Sequence, residues 1–145
     1  MLPLRDENPA VSTPVVTWVI VAACVVAFLV WQPTPLSDTT ADVDFTLRQA
    51  AIPCEVVTGE PLTIDEVIAT FRFGDESACG AGSDASPPYD AGKNVWVSVV
   101  VSMFLHGSIM HLAGNMLFLW VFGNNIEDRL GKVGFALFYL VGGIA

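Results

Sequence analysis

FLHGSIMHLAGNMLFLWVFGNNIEDRLG, residues Phe104 to Gly131, sets His106, His111 and Asn115 in a run that is otherwise apolar or small as far as Gly123. His111 and Asn115 are four apart, which puts them on one helix face, one turn above the other. His106 lies five residues before His111 and would point about 140° away on a continuous helix, so it is assigned to the preceding turn. Polar groups in a bilayer segment face a bundle interior or a water-filled cavity. Gly107 and Gly114 are small positions where a second helix or backbone can come close. The spacing alone leaves three readings. The polar pair can tie neighbouring helices together, at about 0.6–2 kcal/mol each. It can bind a metal, but the histidines lack i, i+4 spacing, no Glu follows the first as in H-E-x-x-H, and the chain has no third His; no metal is expected. It can also supply N–H donors to a developing oxyanion, a role that gains strength in a low-dielectric cavity.

The rest of the chain fits a membrane setting. Of 145 residues, 53% are hydrophobic and only 14% charged, with a mean hydropathy of +0.59; soluble domains carry about 25% charged residues. The net charge is nevertheless −9. Eleven of the fifteen acidic residues lie from Asp38 to Asp90, accompanied only by Arg48, Arg72 and, just beyond, Lys93, so charge and hydropathy are segregated. That balance excludes nucleic acid as a partner, because phosphate binding needs clustered Lys and Arg.

Four segments follow. Residues 1–13 are a polar lead-in, and residues 14–31 an uncharged apolar run close to the roughly 17–25 residues of a transmembrane helix. Thr13 is the expected N-cap, with Pro14 at the first helical position and Trp18 and Trp31 near the interfaces. A cleaved signal peptide competes, but Asp6 and Glu7 in the lead-in and the lack of a small-x-small site before Pro33 favour an uncleaved helix. Residues 32–94 form a long acidic loop, in which TIDE at Thr63 to Glu66 reads as a capping box opening a short helix to about Thr70, and Gly80 to Gly92 is turn-rich. Cys54 and Cys79 in this loop can form a disulfide if it is extracytoplasmic; two free thiols in a cytosolic loop are the alternative. Cys24 reads as a small buried or lipid-facing hydrophobe. Residues 95–145 hold a lead-in to about Leu105, a second span from about Ser108 to Asp128, a compact polar turn with Gly131 as helix C-cap, and the start of a third span. That last run, from Val133, is shorter than a span and would leave a carboxylate in hydrocarbon at a cost of roughly 2.5–3.5 kcal/mol. A fragment of a longer polytopic protein is therefore expected. Arg5, Arg129 and Lys132 beside the short ends put these in the cytoplasm and the acidic loop outside.

The stretch Phe104 to Gly131 closely resembles the second transmembrane helix of rhomboid intramembrane serine proteases, with the pattern HGxxxHLxxNMxxLxxFGxxIE, and PLRDENP at Pro3 to Pro9 is similar to the cytoplasmic lead-in of many bacterial members. The resemblance implies an all-α membrane protein, a polytopic rhomboid-like helical bundle truncated after the start of its third transmembrane helix, in the plasma (inner) membrane. It implies that His111 and Asn115 stabilise the oxyanion of a tetrahedral intermediate, that His106 supports the site, and that Glu127 fixes the helix end and loop packing; a salt bridge to Arg129 or a solvated turn is the alternative for Glu127. The implied activity is hydrolysis of transmembrane segments of other proteins in the lipid bilayer, without cofactor. The chain departs from the family in two places. It has neither the GxSG serine nor the later-helix histidine of the family's catalytic dyad, since GSIM and GSDA do not match and Ser108 is not a candidate nucleophile, and Trp96 is followed by Val97 where many members have a Trp-Arg pair. A non-catalytic rhomboid-like pseudoprotease or derlin-like adaptor is the other class the resemblance leaves open.

Overall fold

The structure, a computed structural model, describes residues 12–33, 39–75, 78–80 and 86–144. The Pro3 to Pro9 motif and residues 81–85 of the turn-rich stretch lie outside the described residues. The described chain is helical: α1 (Val15–Val26), α2 (Thr39–Gln49), α3 (Pro53–Thr58), α4 (Ile64–Phe73), α5 (Val95–Ser102), α6 (Ile109–Phe118) and α7 (Asn124–Ile144), with no strand beyond one antiparallel bridge between Thr63 and Pro88. It divides into two compact units, one of Met1–Leu36 with Phe104–Ala145, the other of Ser37–Met103.

In the first unit, α1 continues into a π-helical turn, Ala27–Trp31, and α6 into another, Leu119–Gly123. Ile20, Cys24 and Phe28 recur every four residues along the first helix and bury against Leu112 and Phe135. Cys24 is a free thiol. A Cβ on Gly123 would stand 3.0 Å from Thr17 Cγ2, so the absence of a side chain there is what lets the π turn lie against α1. The first helix stops because Pro33 cannot donate and forces the preceding residue to be extended; Gln32 has φ −71° and ψ 143°.

Three expectations need correction here. No helix among the described residues is long and apolar enough to cross a membrane. The runs at 14–31 and 108–128 are helical over most of their length, each passing without a break from α into π turns. Thr13 does not cap α1, whose N-cap is Pro14 without a side-chain bond; an acceptor from a distant helix takes that role, as described below. The polar stretch after Gly123 is helical rather than a compact turn, and the helix breaks at Gly131, the residue expected to end it, whose φ of 72° and ψ of 165° interrupt α7. That conformation is open essentially to glycine alone.

The second unit is built around a buried cation. Lys93 and Glu55 pair with side chains only 2% exposed. The Lys93 ammonium also donates to the Leu47 and Ala50 carbonyls, 2.8 Å each, so its three donors close the C-terminal end of α2. The other Glu55 oxygen accepts from Leu62 N–H at 3.0 Å. The expected capping box is present: Thr63 Oγ1 accepts from Glu66 N–H, and Glu66 accepts from Thr63 N–H. The helix it opens runs on to Phe73 and ends on left-handed Gly74. Tyr89 donates its hydroxyl to Asp44, 2.7 Å, and Arg48 pairs with the same carboxylate. The Tyr89 hydroxyl first, and then Arg48, hold the Asp44 carboxyl below the ordinary carboxylate range.

Cys54 and Cys79 are joined in a disulfide across 25 residues. A closed loop of that size is worth about 3 kcal/mol in the chain-entropy account. Alkylation of the denatured protein without reductant is expected to modify Cys24 alone, and with reductant all three thiols. Three modified thiols without reductant would refute the bridge.

Candidate functional site

Apart from Cys54 and Cys79, the residues singled out from sequence fall at two ends of the first unit. At one end is the connection into α6. Ser108 is extended, φ −162° and ψ 161°, and its hydroxyl accepts from His111 N–H at 3.1 Å. A serine before an apolar helical run is an ordinary N-cap, and this is the physical reason Ser108 stands beside His111. Its hydroxyl is engaged in holding the first turn of α6.

His106 precedes this cap and is buried, 4% exposed, whereas His111 and Asn115 on α6 are exposed. The His106 Nδ1–H donates to the Phe104 carbonyl at 3.1 Å. Its ring meets that of His111 edge-on, centroids 5.3 Å apart at 67°. The structure therefore brings together the two histidines that a single continuous helix would have pointed apart, because the chain turns between them. Beside them is a residue that the sequence reading missed. Gln32, at the end of the first helix, accepts from His106 N–H at 3.0 Å and donates its amide N–H to the His106 carbonyl at 3.1 Å. Only its place before Pro33, at the edge of an apolar run, could have drawn attention to it.

Gly114, on the same helix, has open space where a Cβ would stand. Cys54 and Cys79 belong to the other unit. Among the described residues, no group of three or more His, Cys, Asp or Glu could hold a metal ion.

Glu127 lies at the other end, on α7, and is 1% exposed. Its carboxylate accepts from Val16 N–H at 3.0 Å, Thr17 N–H at 2.8 Å and the Thr17 hydroxyl at 2.9 Å. These are first-turn donors of α1, which have no intrahelical partner. A negative charge is also favoured there by the helix dipole. Next to it, Asp128 accepts from Ser12 N–H at 2.9 Å and from the Ser12 hydroxyl. The carboxylate that sequence assigned to a helix end thus binds α1, 110 residues away, and neither a salt bridge to Arg129 nor a solvated turn describes it.

Glu127→Gln keeps one acceptor oxygen and loses the charge. It is expected to lower the stability of this unit by about 1–2 kcal/mol. Trp18 and Trp120, 4.9 Å apart edge-to-face, report the change through their fluorescence during unfolding in detergent. An unchanged midpoint would mean that water satisfies the α1 terminus equally well.

The Rhomboid domain model matches residues 93–145, from Lys93 through both candidate histidines and Glu127. Presenilin-associated rhomboid-like protein A, mitochondrial, of Danio rerio is 39% identical over 54 residues, covering 37% of this chain and 14% of that protein. Rhomboid-like protein 11, chloroplastic, of Arabidopsis thaliana is 37% identical over 49 residues, covering 34% of this chain and 18% of that protein. The chain thus spans less than a fifth of the length of these curated relatives. No solved structure matches it. The HGxxxHLxxN signature, Glu127 and the domain match all fall on one stretch, and residues 93–145 are thus similar to the rhomboid domain.

Proposed function

We propose that the chain is part of an intramembrane serine endopeptidase of the rhomboid type, which hydrolyses a peptide bond in or beside the transmembrane segment of another protein. His111 and Asn115 supply N–H donors to the oxyanion, and His106 supports them. A serine nucleophile and a histidine base come from outside residues 1–145. The reading rests on one observation above all: two polar side chains of matching donor chemistry stand exposed on one face of α6, at a helix start held by Ser108 and buried His106. The domain match over the same residues supports it.

Membrane placement is part of the same proposal. Val30 on the first helix, Met110 on α6 and Val133 on α7 are 75–78% exposed, as suits helices that meet lipid or further helices. The two π turns lengthen the helical runs beyond their α segments, so Val15–Val26 with Ala27–Trp31 forms one continuous apolar run. The disulfide in the acidic unit suits an oxidising compartment, which supports the reading that this unit is outside and the start of α1 on the cytoplasmic side of the plasma (inner) membrane.

The test is cleavage by the whole protein in proteoliposomes of a reporter with a single transmembrane helix, with fluorophosphonate labelling of the serine in parallel. Cleavage and labelling together are expected. Stable capture of the reporter with neither would replace the protease reading by the adaptor one.

A further inference from the structure

Gln32 meets both backbone polar groups of His106: the carboxamide oxygen accepts from the N–H at 3.0 Å and the carboxamide N–H donates to the carbonyl at 3.1 Å. A two-point contact of this kind spans the His106 Cα and restrains its φ and ψ, which a single hydrogen bond would not. Gln32 is itself restrained. Its own N–H donates to the Ala27 carbonyl at 2.9 Å, and Pro33 holds it extended. On the far side, the His106 Nδ1–H is committed to the Phe104 carbonyl. In the neutral ring this leaves Nε2 as the acceptor. The buried ring then stands against exposed His111 at 5.3 Å. A continuous set of restraints therefore runs from the proline-fixed end of the first helix to the side chain of His111.

We propose that Gln32 is a positioning residue, whose carboxamide holds the backbone of His106 so that its imidazole sets the orientation of His111 toward the oxyanion. The catalytic part of this inference rests on the proposed protease function; the restraint on the histidines does not. Gln32 touches neither substrate nor reacting atoms and acts only through His106.

The test compares Gln32→Met, of similar length but without either hydrogen bond, with the parent in two measurements. In the 145-residue chain, the two histidines give separate side-chain nitrogen signals in long-range nitrogen–proton NMR, assigned with His111→Phe. The parent is expected to show His106 in the Nδ1–H tautomer, and Gln32→Met to show tautomer averaging at His106 with a shifted His111. In the whole protein, kcat per folded enzyme is expected to fall about tenfold with KM unchanged. His106→Ala is expected to add little to that loss, as for two residues acting as one unit. A role confined to stability would lower the folded fraction and leave kcat per folded molecule unchanged. Unaltered histidine signals, or unaltered kcat, overturn the proposal. Full turnover by Asn115→Ala, assayed alongside, sinks the oxyanion reading and the catalytic part of this inference with it, while the nitrogen spectra still judge the restraint.

Discussion

Lys93→Met is expected to destabilise the acidic unit by about 3–5 kcal/mol, the cost of leaving one member of a buried ion pair unpaired. The size follows from what the ammonium leaves behind. The Glu55 carboxylate would remain 2% exposed with one oxygen stripped of its cation, and the Leu47 and Ala50 carbonyls at the end of α2 would lose their donor. Lys93→Arg does not restore the site, because a planar five-donor fork cannot reproduce three donors spread from one point. Amide hydrogen exchange reads the effect locally. Protection in α2 and α3 should fall to that of the loops, while α6 and α7 in the other unit keep theirs. Equal protection in α2 and α3 before and after would mean that water reaches the pair and screens it.

Asn115→Ala in the whole protein is expected to reduce kcat by a factor on the order of 10²–10³, the usual cost of removing one oxyanion donor. KM should change little, since the donor acts on charge that exists only in the transition state. Asn115 is exposed on α6 and outside the buried cluster of Ile20, Cys24, Phe28, Leu112 and Phe135, so membrane insertion and unfolding temperature should stay at parent values. Those two controls separate a lost donor from a lost fold. Full activity in the variant would remove Asn115 from the mechanism, and with it the oxyanion face of α6.

Interactions that close within a few residues were legible along the chain. The Thr63–Glu66 capping box needs only a turn-forming residue and a carboxylate three positions later, so both partners are visible together. The His111–Asn115 face follows from helical spacing alone. The Ser108 cap carried a signal of the same kind, a serine at the start of an apolar helical run, and could have been read from it. The Cys54–Cys79 pairing was open in sequence, since composition cannot bring two thiols together, and it was closed by the packing of α3 against the chain after α4.

The π turns had no comparable signature. Counting apolar residues assumes 3.6 per turn, and one wider turn shifts everything after it without changing composition. That is why the two expected spans were drawn as unbroken helices and found as α segments joined to Ala27–Trp31 and Leu119–Gly123.

Hydropathy, charge segregation and the HGxxxHLxxN spacing told of a helical chain, an acidic middle and a polar face, because each depends on neighbours in sequence. What Glu127, Gln32 and Lys93 do was decided by packing. Their partners lie 110, 74 and as many as 46 residues away. A buried charge or carboxamide must find its donors or acceptors wherever the fold has left them unpaired, and the unpaired groups here were the first turn of α1, the N–H and carbonyl of His106 and the last carbonyls of α2. Such vacancies come into being only when helices meet, so no local pattern announces which side chain will fill them.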